Sequence, residues 1–253
     1  MMNRSDFHKA FKTTGPAVTP VIHVVDQDQV ARNIEIAIGE GAQGVFLINH
    51  DFGVEPFLPI IRTTREKFPY LWLGLNFLAV TGKDAFPVLG KLSQEDCPID
   101  AYWADDARID EREPFDDQEE AKSITEAREQ SGWSGLYFGG TAFKKQRDVA
   151  PEDYGRSAEI AREHMDVVTT SGVATGHEAE TSKISTFRTA MGDHPLALAS
   201  GVTPDNAKIY RDVDCFLVAT GINIEGDFYN IDQQRLRRLL TVTREMGGGR
   251  TDG

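Results

Sequence analysis

The feature that most constrains this chain is a repeated alternation of short, continuous apolar runs with helix-patterned segments. The runs are Val18–His23, Gly44–Asn49, Leu71–Leu78, Ile99–Trp103, Leu136–Phe138, Asp166–Thr170, Pro195–Ala199 and Cys215–Ala219. Most are apolar at consecutive positions rather than at every second one, the pattern of parallel strands covered on both faces. Between them lie segments with apolar residues at helical spacing, such as Val30, Ile34, Ala37 and Ile38. Strand and helix in strict succession predict βα units, and this many units close more naturally into a barrel than into an open sheet. The expected fold is therefore α/β, a single-domain (β/α)8 barrel of the TIM type. A length of 253 residues suits that architecture.

The pattern also predicts the accessory parts. Ser5–Lys12 reads as a short extra helix, with Ser5 or Asp6 near its start, placed to plug the bottom of the barrel. Thr203-Pro204-Asp205 should open a helix between the seventh and eighth strands. Residues 1–15 form an N-terminal extension, 16–246 the barrel, and 247–253 a glycine-rich tail with no means of ordering itself.

Composition narrows the partners. The formal charge of −13 repels a nucleic-acid backbone and an anionic membrane surface. No apolar run is long enough to span a bilayer, and the first residues lack the apolar core of a signal peptide. The two cysteines, Cys97 and Cys215, sit in or beside apolar strands and are expected as buried thiols. These features point to a cytoplasmic protein. The acidic stretch Asp105–Glu120 is expected to be a solvated loop and helix start.

Barrels of this class carry their chemistry at the C-terminal strand ends. That rule selects His23 after the first strand, His50 and Asp51 after the second, Asn76 in the third and Asp105 after the fourth. Lys144 and Lys145 follow the fifth. His23, Asp51 and Asp105 have the chemistry for proton transfer, Asn76 for orienting a substrate, and Lys144 for neutralising an anion or forming an imine. His50, Asp51 and Asp105 are also a possible divalent-metal set; no other cofactor is expected. The last three strands each end in a Ser/Thr-Gly turn: Ser171-Gly172 with Thr175, Ser200-Gly201, and Thr220-Gly221. Glycine lets backbone approach a ligand closely and hydroxyls add donors, so these turns are the expected phosphate-binding residues.

Four segments, TSGVATG (170–176), SGVTPDN (200–206), ATGINIEGD (219–227) and NIDQQRL (230–236), resemble the BtpA/SgcQ family in order and spacing. In the first half, Ile22-His23, Pro56-Phe57 and Gly74-Leu75-Asn76 are similar to the family's pattern. The resemblance implies a barrel whose last two strands are like those of ribulose-phosphate-binding barrels. It also implies links to photosystem I biogenesis or sugar metabolism, without a settled reaction. The chain departs from the pattern at Asn223, where the family has lysine, at Ala79-Val80, where an arginine-asparagine pair is expected, and at Tyr102-Trp103-Ala104. Lys144-Lys145 occupy the place of a Lys-His pair.

The leading expectation is an enzyme acting on a phosphorylated small molecule, a sugar phosphate or nucleotide-like ribose phosphate, by acid/base chemistry. Isomerase, lyase and glycosidic-bond hydrolase stay open. The alternatives are a non-catalytic assembly factor and a metal-dependent hydrolase. A homo-oligomer is also compatible with the sequence.

Overall fold

The computed structural model describes residues 2–144, 146–174 and 176–248. Eight parallel strands close in chain order: β1 (Ala17–Val24), β2 (Gly44–Asn49), β3 (Trp72–Phe77), β4 (Ala101–Ala104), β5 (Leu136–Gly140), β6 (Val167–Ser171), β7 (Leu196–Ala199) and β8 (Cys215–Val218). β1 pairs with β8 through Ala17 opposite Cys215, which closes the ring. The chain is a (β/α)8 barrel.

The strands sort their side chains with period two. Val21, Phe46, Ile48, Trp103, Phe138 and Leu217 belong to the cluster that fills the barrel. Ile22, Val45, Leu47, Leu75, Tyr102 and Val168 belong to the cluster beneath the surrounding helices. Both faces are dry, which is why the runs carry few polar residues.

The helices are α1 (Arg4–Phe11), α2 (Gln27–Gly39), α3 (Val54–Lys67), α4 (Gly82–Gln94), α5 (Glu119–Ser131), α6 (Tyr154–Ala161), α7 (Thr181–Met191) and α8 (Gln233–Gly247). The helix expected after Thr203 is instead a single 3-10 turn, Ala207–Tyr210. Here side chains compete with the helical ladder. The Asn206 carboxamide accepts from Thr203 N and donates to Gly201 O, while Thr203 Oγ1 accepts from Asp205 N and Asn206 N.

Helix α1 lies across the N-terminal end of the barrel. Asn3 caps it by accepting from Asp6 N, ahead of the expected Ser5 or Asp6. Phe7 and Phe11 are buried; Phe11 meets Trp72 edge-on at 4.9 Å, and Phe7 approaches Phe138 at 6.4 Å. A buried carboxylate fixes this plug. Asp214, at the start of β8, accepts from Arg4 Nε at 2.8 Å and Arg188 Nη2 at 2.6 Å, with His8 Nε2 at 3.0 Å. Among the described residues, no helix is long and apolar enough to cross a membrane.

Candidate active site

The strand alternation that fills the barrel also aims residues out of its C-terminal mouth. Continuing the inward series, Val21 leads to His23, Ile48 to His50, and Trp103 to Asp105. These three polar residues line one recess, together with Lys144, Ser200-Gly201 and Thr220-Gly221. The recess holds about 530 Å³ including its open mouth.

His23 is the most constrained of the group. It is 5% exposed, and its ring stacks on Phe228 at 3.8 Å with His50 edge-on at 4.9 Å. Its Nδ1 lies 3.1 Å from the Phe228 carbonyl oxygen. A carbonyl can only accept, so Nδ1 carries the proton and Nε2 is the basic nitrogen of the neutral ring. The Asn223 amide donates to the same carbonyl at 2.9 Å. Asn223 is buried, and its hydrogen bond holds the loop between β8 and α8 in shape.

Asp105 is steadied from β3. Asn76 Nδ2 donates to Asp105 Oδ1 at 3.1 Å, and Gln146 Nε2 donates to the Asp105 backbone oxygen. Gly140 allows this approach, because a Cβ there would fall 2.0 Å from Asp105 O. Asn76 therefore stands behind Asp105 rather than on the recess surface. With the amide nitrogen committed, Asn76 Oδ1 is buried without a partner among the described residues, as is the Trp103 indole N–H. Buried polar atoms are usually satisfied, so the inner wall retains an uncommitted donor and an uncommitted acceptor.

The glycine turns after β7 and β8 form the opposite wall. Ser200 and Gly201 have φ of +93° and +72°. Added Cβ atoms at Gly201 and Gly221 would lie 2.2 Å from His177 O and 1.8 Å from Val202 O. Packing alone thus requires glycine at both positions. Among the described residues, the backbone N–H groups of Gly201, Thr220 and Gly221 have no carbonyl acceptor. Successive uncommitted N–H groups in such turns make an anion-binding concavity.

Other expected residues fall elsewhere. Asp51 is exposed and accepts from Tyr229 Oη at 3.0 Å, so it ties the β8–α8 loop to the mouth outside the recess. His50, Asp51 and Asp105 do not converge, and no cluster of three potential ligands occurs among the described residues. Ser171 is buried; its hydroxyl accepts from Lys144 N at 2.8 Å and donates to Gly172 O at 2.7 Å. Ser171 and Gly172 line a neighbouring recess that shares Lys144 with the first. Thr175 and Lys145 lie outside the described residues. Cys97 and Cys215 are buried thiols; burial pushes the Cys215 thiol up to about 12.

Sequence reasoning missed Phe228 and the Trp103 indole. Trp103 was findable, because it precedes Asp105 by two positions and so shares its inward face. Phe228 was not, because a loop residue carries no periodicity.

No protein-family model matches this sequence, and no curated protein sequence matches it. Solved structures similar in fold include tryptophan synthase subunit alpha from Legionella pneumophila, with TM-score 0.62, 15% identity, and coverage of 98% of this chain and 99% of that one. Phosphoribosyl anthranilate isomerase from Thermus thermophilus gives TM-score 0.58 and 13% identity over 91% of this chain and 99% of its own. A native KDPGal structure gives TM-score 0.60 and 11% identity over 90% and 95%. At these identities the likeness is one of fold: this chain has the (β/α)8 architecture that those three proteins share.

Proposed function

We propose that the chain is an enzyme that binds a phosphorylated small molecule at the C-terminal mouth and moves a proton on it. One observation carries this proposal. A single recess brings His23, Asp105 and Lys144 together with the N–H-bearing turns at Ser200-Gly201 and Thr220-Gly221. In this scheme the turns hold the phosphate, as is common after the last two strands of such barrels. His23 Nε2 takes a proton from the bound molecule, Asp105 serves as the second acid/base group, and Lys144 stabilises developing negative charge. Asn76, behind Asp105, would hold that carboxylate in place through its Nδ2 hydrogen bond. The phosphoribosyl substrate named for the Thermus thermophilus isomerase is of this general kind. So is the sugar-linked chemistry implied by the resemblance to the BtpA/SgcQ family.

The test is a thermal-shift panel of sugar phosphates and ribose phosphates. A ligand at one hundred times its Kd should stabilise by about 2.7 kcal/mol, raising Tm by roughly 5–10 °C in a chain of this size. A panel without any shift would count against the phosphate site. His23→Ala should retain binding and lose turnover. If function survives His23→Ala and Asp105→Asn in a folded protein, the barrel acts as a non-catalytic partner.

A further inference from the structure

The second recess borders a buried lysine. Lys183, in the first turn of α7, is 9% exposed. Its Nζ donates to Ala142 O at 2.5 Å and Ser171 O at 2.9 Å, beside the Tyr154 ring at 4.9 Å and the Phe187 ring at 5.9 Å. Among the described residues, no carboxylate pairs with it. Two carbonyls use two of the three ammonium protons, which leaves one donor direction. A buried charge without a counter-ion is costly, and the surroundings normally supply one.

The recess beside it holds about 640 Å³ including its open mouth, and Lys183, Lys144, Arg147, Ser171 and Gly172 line it. Three acids, Asp148, Glu178 and Glu180, also line it. Glu178 is exposed and accepts from Asn206 Nδ2 at 2.8 Å; Asp148 and Glu180 are exposed as well. Arg147 is committed to Glu111 at 2.7 and 2.8 Å. The buried positive charge therefore borders the recess without a direct ion pair, and the carboxylates that share the lining are exposed.

We propose that this recess is an anion subsite in which Lys183 supplies the buried charge for a small oxyanion, a carboxylate or a phosphate. It lies next to the first recess and meets it at Lys144, so a ligand with two anionic ends can occupy both. The subsite itself does not depend on phosphate binding at the turns after β7 and β8. Burial lowers the Lys183 ammonium to about 8, against a weaker opposing pull from Glu180. The other titratable groups facing it are Tyr154 from α6, Lys144, Arg147 and Asp148 from the segment after β5, and Glu178 from the segment after β6. An anion bound to the charged form must raise that midpoint.

The experiment follows the Lys183 side-chain resonance of the intact wild-type chain by NMR, assigned by its loss in Lys183→Arg. The pH titration is repeated with inorganic phosphate, with acetate, and with chloride at matched ionic strength. Phosphate or acetate at ten times its Kd should raise the midpoint by about one pH unit, and affinity should fall about tenfold per unit above the ligand-free midpoint. A response to either supports the subsite and names its preferred class. A midpoint that stays put with both, or that moves equally with chloride, overturns it. Ser200→Ala and Thr220→Ala should leave this shift unchanged; loss of the shift in those variants would place the anion at the β7 and β8 turns instead.

Discussion

Asp214→Asn should destabilise the protein by about 2–4 kcal/mol at neutral pH, and two separate lines lead to that figure. The first is linkage. Burial alone would push the Asp214 carboxyl up, but the His8 hydrogen bond and the charges of Arg188 and Arg4 overcome it and hold it at about 2, against 3.8. A depression of that size corresponds to about 2.5 kcal/mol. The second is pairing. Breaking a buried ion pair by removing one partner costs about 3–5 kcal/mol. Arg4 and Arg188 keep 24% and 13% exposure, so solvent relieves part of that cost. Urea unfolding followed by circular dichroism is the assay, with a Tm loss of roughly 4–16 °C as the thermal counterpart. The pH dependence supplies the sharper readout. Because the folded value is depressed, the stabilisation is present above about 3.8 and disappears as pH falls through about 2. The wild type should lose it over that window, and Asp214→Asn should lack that component. A variant within about 0.5 kcal/mol of wild type at neutral pH would refute the reasoning, since changes that small are typical of ordinary surface positions.

Other substitutions probe other parts of the fold. Phe7→Ala should cost about 3–5 kcal/mol in the same unfolding assay, because it empties a fully buried aromatic site between α1 and the barrel. Gly201→Ala should lower Tm even without ligand, since its φ of +72° and the 2.2 Å approach of His177 O both exclude a Cβ. An unchanged Tm would mean that the turn relaxes. Burial lowers His194 to about 4 from 6.5, so its stabilising neutral form is fully effective above 6.5 and lost as pH falls toward 4. His194→Leu should flatten the unfolding free energy across that interval.

The barrel was legible because its strands are dry on both faces; GVFLIN at Gly44–Asn49 could be bounded to the residue. The 3-10 turn at Ala207–Tyr210 was not, because Thr203 and Asn206 signal a helix start equally well when their side chains satisfy a tight turn. At the barrel mouth, strand-end position picks out His23 and Asp105, which line one recess, while side-chain direction separates them from their neighbours. Asp51 follows His50 directly, yet it bonds to Tyr229, a partner 178 positions away that no local pattern reveals. Ser171 sits on an inward position, but its hydroxyl is consumed by Lys144 N and Gly172 O. Lys183 was invisible for the opposite reason: a lysine in the first turn of a helix normally points to solvent, and only the packed loops after β5 and β6 show that this one does not.

The plug helix has a consequence for how the chain is made. Arg4 waits for a partner 210 positions downstream. At a synthesis rate of about 5–20 residues per second, that interval is roughly 10–40 s. During that time the apolar side of α1, with Phe7 and Phe11, has neither a closed ring to enter nor a carboxylate to hold it. The last strand thus completes two things together, the circle of backbone hydrogen bonds and the anchor of the first helix. Nascent chains halted before Asp214 should be held by chaperones that bind exposed aromatic segments, and release should coincide with the emergence of β8.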